Sequence, residues 1–443
     1  MREISAPSEE TIGIEGYLTR SPGTKGRLRR SIEDFIVEEV LQDGAVVRIG
    51  SGLHDHARRD VQGTYCCFAL EKRGIDLFQA IAELSREFGI SKKRFTYCGT
   101  KDANAITCQL VCVEAFSPTN VRTHSRHLRV YTPFRTTRPL RLGEHWGNSF
   151  RIRVTQIPLS PEEADIAAQA TASEIAAQGG VPNFFGHQRF GTVRANTHIV
   201  GKHLLRGDFE SAVWEYLGKP FRGERPEAIE ARLRLMETKD FRAALNLFPK
   251  DLTYERGMLA HLADNPRDFL GALRRIPRGL LSMFVRAYQS YIFNLALSGR
   301  LRSNRPLQPR QGDVLQVGTE RFAVGDSISV DDAIRLKAEG KATLVYSVVG
   351  YASPAEGPLS RDILDVMKRE NATFSSFYVR QLPDVSPKGG YRSVICPVYD
   401  LTLGRASEGE DGGTELCLSF WLPKGSYATA VMREFMKADI GAY

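Results

Sequence analysis

The sequence predicts an α+β protein of two domains, and three observations carry that expectation. At 443 residues the chain is longer than one ordinary core organises. Up to about residue 180, short strand-like runs alternate with helical ones. From about 183 to 300 helical patterns dominate, and strand-like segments return toward the C-terminus.

Cys66 and Cys67 lie in an apolar strand run. Asp76 is then placed to cap a helix whose Leu77, Ile81, Leu84 and Phe88 form an apolar stripe, and Gly89 to end it. Ile106, Cys108, Leu110 and Cys112 alternate with Thr107, Gln109, Val111 and Val113, the period of a strand with one core face. Gly147-Asn148 reads as a turn by residue type. Residues 149–154 alternate strictly, a half-buried strand with Phe150 on its apolar side. Ser160-Pro161-Glu162-Glu163 supplies a cap, a first-turn proline and a capping-box glutamate for a helix running to Gly179-Gly180. Leu281, Phe284, Tyr288, Tyr291 and Leu295 share one helical face, and residues 313–317 and 342–349 read as strands. Residues 408–413 form a solvated turn before a last strand through Leu416, Leu418 and Phe420, and Ser426 is placed to cap a final helix.

Hydrophobic residues make up 42% and charged residues 25%, the balance of a soluble globular protein. No apolar stretch approaches the roughly 20 residues of a membrane span, and no signal-peptide core is evident, so a cytoplasmic protein without a membrane partner is expected. Seven cysteines without disulfide-scaffold spacing suit a reducing compartment, and Cys66, Cys67, Cys108 and Cys112 read as small buried hydrophobes. Net charge is +8 and the pI about 9.1, which favours an anionic partner. Arg122, Arg126, Arg129, Arg135, Arg138 and Arg141 fall in one stretch free of acidic residues, a phosphate-contacting pattern. Lys25, Arg27, Arg29 and Arg30 form a second basic cluster.

The stretch richest in chemistry is Gly99-Thr100-Lys101-Asp102-Ala103-Asn104-Ala105-Ile106-Thr107-Cys108-Gln109. It sets one carboxylate in a glycine-opened turn beside a lysine, between a helix and a strand that can both pin it. By residue type alone, such an aspartate is far more often a turn former than a reactive group. His54-Asp55-His56 has no further ligands at a recognisable spacing, and Arg58 and Arg59 oppose a cation, so no metal is expected. No phosphate-binding glycine loop precedes a helix, and no nucleotide cofactor is implied. Asn183-Phe184-Phe185-Gly186-His187-Gln188-Arg189-Phe190-Gly191 reads either as a nucleic-acid-facing loop or as a junction turn with aromatic anchors.

Five segments, in order along nearly the whole chain, resemble the TruD family of pseudouridine synthases. They are Glu33-Asp34-Phe35-Ile36-Val37-Glu38-Glu39, the Gly99–Gln109 run, Gly147-Asn148-Ser149-Phe150, the 183–191 loop, and Leu422-Pro423-Lys424-Gly425-Ser426-Tyr427-Ala428-Thr429. The resemblance implies a pseudouridine-synthase catalytic domain with a mixed, largely antiparallel sheet and flanking helices, formed by residues 1–182 and 391–443. A family-specific α+β domain is inserted at 183–390. It implies isomerisation of a tRNA uridine, uridine 13 in the D arm, without cofactor or metal and with no protein partner. Asp102 matches the essential carboxylate and Arg29 its charge partner, with Arg30 and Lys101 as further cations. Phe150 would stack on the uracil, Asn148 would bond its edge or the backbone, and Phe35 and Tyr427 would wall the pocket. Arg122, Arg126, Arg135, Arg138 and Arg189 are candidate RNA contacts. A non-catalytic tRNA-binding or RNA-folding protein on the same scaffold is the alternative.

Overall fold

The computed structural model describes residues 8–53, 63–191, 193–303, 306–410 and 412–443. The chain forms two compact units, 19–181 with 396–443, and residues up to 18 with 182–395. The second unit therefore takes in the start of the chain, which the expected domain bounds assign to the other unit. The cause is local. Ile12 and Ile14 lie in the core of the 182–395 unit. Asn294 Nδ2 donates to the Ile12 carbonyl at 3.0 Å, and Ser298 Oγ donates to that of Gly13 at 2.7 Å.

The unit formed by both chain ends is built on one mixed sheet, ten-stranded among the described residues. Its main strands are β1 (Phe35–Val40), β2 (Tyr65–Arg73), β3 (Ile106–Glu114), β4 (Leu128–Thr136), β5 (Gly147–Ile157), β6 (Tyr399–Leu403) and β7 (Thr414–Pro423). The spatial order is β6-β7-β5-β1-β3-β2-β4, and along this path only β1 and β3 run parallel. The expected α+β class and largely antiparallel sheet are thus observed.

Three helices flank the sheet: α1 (Leu77–Phe88), α2 (Pro161–Gln178) and α3 (Ala428–Met436). Asp76 caps α1 by accepting from the Gln79 N–H, and Gly89 ends it with φ 64°. Ser160 and Glu163 close a capping box on α2. The start of α3 differs from expectation. Its N-cap is Tyr427, and no side chain caps it.

In a sheet, directly opposed residues and residues two apart share a face. Phe35, Val37, Phe150, Ile152, Leu418, Phe420 and Leu422 therefore line one face, and all belong to the apolar cluster that includes residues of α2 and α3. Farther along the same face, Phe68, Leu70, Val111 and Val113 pack with α1. Strand β3 was expected to have one core face, yet Ile106–Val113 are buried on both. Its second face, with Cys108 and Leu110, is covered by Leu41, Val47 and Leu53. Gly147, expected in a turn, opens β5, where a Cβ would meet the Leu422 carbonyl oxygen at 2.0 Å.

Cys67 and Cys112 are directly opposed on β2 and β3, and Cys66, Cys67, Cys108 and Cys112 are all buried, as small hydrophobes are. No helix among the described residues is long and apolar enough to cross a membrane.

The other unit is mainly helical, around the 24-residue helix Arg278–Leu301. Leu281, Phe284 and Tyr288 are buried as their spacing predicts, but Ile292, Phe293 and Leu297 are buried too, so the helix is enclosed on more than one side. A four-stranded sheet contains Val314–Val317 and Thr343–Val348. In the core His198 stacks on Tyr291 at 4.7 Å and meets Phe190 edge-on at 5.3 Å. Burial holds its imidazole neutral, with the pKa lowered from 6.5 to about 4. As pH falls from 6.5 to 4 the unfolded chain takes up this proton and the folded chain does not, so stability present above 6.5 is lost across that window. A shift of this size corresponds to about 3 kcal/mol. His198→Phe should make the acid-side fall in unfolding free energy shallower by about that amount, as measured by denaturant titrations from pH 7 to 4.

Candidate active site

Between the two apolar clusters the sheet face turns polar. Glu39 on β1 follows Phe35 and Val37 in phase, Thr107 and Gln109 precede Val111 and Val113, Lys72 follows Phe68 and Leu70, and Asn148 precedes Phe150. Glu39 is opposite Asn148, Val37 opposite Thr107, and Thr107 opposite Lys72, which sets these side chains side by side. Glu39, Lys72, Thr107 and Gln109 are each at most 1% exposed. A polar row this dry must be bonded or serve a ligand. Thr107 Oγ1, Gln109 Oε1 and Asn148 Oδ1 find no partner among the described residues.

The Asp102 turn lies over this row and is fixed from three strands. Gln109 Nε2 on β3 donates to the Gly99 carbonyl at 2.8 Å. Lys101 Nζ pairs with Glu39 Oε1 of β1 at 2.8 Å, the two side chains 3% and 0% exposed. The other Glu39 oxygen accepts the Leu110 N–H at 3.0 Å. Lys72 of β2 donates to the Asp102 carbonyl, and to that of Ile75 at 2.9 Å. Backbone and neighbours are tied down, while the Asp102 carboxylate keeps 29% exposure.

Arg29 holds that carboxylate. Its Nη2 lies 3.1 Å from Asp102 Oδ1, and its guanidinium stands 4.1 Å over the Phe35 ring centroid. The Arg29 backbone is left-handed at φ 55°, a conformation costing a non-glycine residue roughly 1–2 kcal/mol. Of the cations suggested by sequence, Arg29 is bonded to Asp102. Lys101 is spent on Glu39.

The aromatic residues sit deeper than a stacking role suggests. Phe35 is 1% and Phe150 5% exposed. Phe150 packs edge-on to Phe35 at 6.2 Å and stacks on Phe420 at 5.6 Å. Asn148 is half-buried, paired across the strands with Leu422 as well as Glu39. Tyr427 stands at the start of α3, just past β7. His145 is 8% exposed, and a Cβ on Gly99 would lie 3.3 Å from its Cε1. Burial, then the Lys101 charge, lowers the His145 pKa and keeps the ring neutral.

The candidate RNA contacts divide between the units. Arg122 and Arg126 are exposed. Arg138 is 79% exposed, 3.7 Å from Glu144, and Arg135 donates to the Gly63 carbonyl at 3.1 Å. Arg189, in the other unit, lies 5.6 Å from the Phe185 ring centroid. Within its loop Phe184, Phe185 and Phe190 are buried, as in a turn with aromatic anchors. His54-Asp55-His56 lies outside the described residues. Among those described, no group of three or more His, Cys, Asp or Glu could hold a metal ion.

Sequence reasoning missed Glu39 and Lys72. The signal was present, because each falls in phase with the core residues of its strand, where a charge needs a partner.

A partly exposed carboxylate, salt-bridged to arginine on a turn pinned from three strands above a polar row, is the candidate centre on this mixed sheet. The profile described as tRNA pseudouridine synthase D (TruD) matches residues 11–435. A Methanosarcina mazei protein named "Probable tRNA pseudouridine synthase D" is 36% identical over 441 residues, covering 97% of this chain and 98% of the relative. One of the same name from Archaeoglobus fulgidus is 35% identical over 440 residues, covering 98% and 100%. A crystal structure of a "Putative tRNA pseudouridine synthase D (TruD)" from Methanosarcina mazei matches with a TM-score of 0.84 at 35% identity, over 99% of this chain and 100% of that one. The chain belongs to the TruD family of tRNA pseudouridine synthases and is an enzyme of that class.

The buried Lys101–Glu39 pair makes a stability prediction. Lys101→Met leaves the Glu39 charge without its cation and should cost about 3–5 kcal/mol. Adding Glu39→Gln removes the stranded charge and keeps an acceptor for Leu110, and should recover more than half of the loss in denaturant unfolding.

Proposed function

We propose that the enzyme converts uridine 13 in the D arm of tRNA to pseudouridine, with Asp102 as the essential carboxylate. The observation that carries this reading is the Asp102–Arg29 contact, a carboxylate held at 3.1 Å by a guanidinium and still open to a substrate. The reaction breaks the bond from ribose C1′ to uracil N1, turns the base, and joins C1′ to C5. The C5 proton leaves and N1 gains one, so atoms and electrons balance without a redox partner. A carboxylate serves either attack on C1′ or removal of the C2′ proton, and the Arg29 guanidinium lies beside it.

The uridine must leave its stack, at a cost of a few kcal/mol. Asn148 supports its capture, since Oδ1 has no donor among the described residues and could accept the uracil N3–H. Phe35 and Phe150 supply an apolar floor, with stacking by Phe150 limited to what its 5% exposure leaves. Tyr427 supplies a wall. Arg122, Arg126, Arg135, Arg138 and Arg189 are proposed phosphate contacts. Residues 396–443 with 19–181 would form the catalytic domain, and 182–395 the inserted domain.

Asp102→Asn should retain tRNA affinity within about twofold and lose isomerisation. Tritium release from tRNA labelled at uridine C5 measures the reaction, and mapping of the product locates the position. Substantial release by the variant would remove Asp102 from the chemistry. Binding without product in the wild-type protein would favour the non-catalytic alternative.

A further inference from the structure

We propose that Lys72 is a positioning residue of the isomerisation, whose ammonium grips the backbone carbonyl of Asp102 from beneath and sets the direction of its carboxylate. The inference rests on Asp102 being the reacting carboxylate.

Lys72 is fully buried, and its polar contacts are two carbonyl oxygens, of Ile75 at 2.9 Å and of Asp102. Among the described residues it forms no ion pair of its own. Desolvating an ammonium for two neutral acceptors is unfavourable. Packing does not call for it either, since Lys72 falls in phase with Cys66, Phe68 and Leu70, where a methionine would fill the space. What methionine cannot do is bond the main chain of Asp102. The other two clamps hold Gly99 and Lys101, so Lys72 alone among the three acts on Asp102 itself. The opposing contact is Arg29 on the carboxylate, and the residue is gripped at both ends.

The surroundings make this grip sensitive to pH. Burial lowers the Lys72 pKa from 10.5 to about 8. The charges of Asp102, and of Asp76 at the cap of α1, pull it back up, and that of Lys101 pushes it further down. At neutral pH the ammonium lies beneath the aspartate. Above about 8 it loses its proton, and the positive field under the carboxylate goes with it.

The test is single-turnover tritium release from tRNA across pH 6–9.5, on the full chain. Wild-type turnover should fall above about pH 8. Lys72→Met should lose about a hundredfold in rate, the scale of a small misplacement of a reacting group, with tRNA affinity unchanged within about twofold. Lys72→Arg cannot lose its charge in this range. It should retain more activity than Lys72→Met and show no alkaline fall. A Lys72→Met rate within threefold of wild type would overturn the proposal, and so would a flat wild-type profile or an alkaline fall that persists in Lys72→Arg. If Lys72→Met fails to fold, the wild-type profile compared with that of Lys72→Arg still decides the matter. If Asp102→Asn remains active, the reading of the reaction centre falls. If Asp102→Asn is dead while Lys72→Met behaves as wild type, only the role of Lys72 falls.

Discussion

Everything at the candidate centre depends on leaving one aspartate side chain reachable while its backbone is held in a dry interior. Exposure alone would let the carboxylate move, and burial alone would put it out of reach. The chain separates the two demands. The turn's main chain and Lys101 are fastened from below, and the Asp102 carboxylate faces outward to Arg29. Each fastening comes from a different strand, so the turn is as rigid as the register between β1, β3 and β2.

That requirement accounts for an otherwise awkward feature of the sheet. Its helix-covered face carries apolar clusters at both ends and a polar row between them, several of whose atoms lack partners among the described residues. A continuous apolar face would bury more area and be more stable. The polar row gives up that stability to anchor a turn. The left-handed backbone at Arg29 belongs to the same exchange, because strain there is tolerated where it aims a functional side chain.

Much of the fold was legible because local signals were strong. Asp76 with Gly89, and Ser160 with Glu163, mark helix ends by bonds their side chains or backbones make locally, and the structure has those bonds. The run from Ile106 misled in one respect. Alternation distinguishes two faces but does not say that the segment around Leu41 and Leu53 covers the second. Ser426 failed as a cap because the chain reaches α3 through a turn held by backbone bonds, Ser426 N–H to the Pro423 carbonyl and Lys424 N–H to that of Trp146. The allocation of Ile12 and Ile14 was not legible at all, since the groups that hold them lie some 280 residues away on a helix read only for its own stripe.

The site was legible in a different way. Composition and period gave Asp102 a turn and a neighbouring lysine, and nearness in sequence made Lys101 look like its partner. Lys101 reaches Glu39 in the interior, while the cation on the Asp102 carboxylate comes from Arg29, far back in the chain. Glu39 and Lys72 illustrate the converse. Each is a charge in the phase of its strand's core residues, and neither is paired with an opposite charge near it in sequence. Such charges require a partner from another element, and here those elements converge on one turn. A charged residue out of keeping with its own strand is therefore informative about long-range geometry, because only a group brought from elsewhere in the fold makes it tolerable.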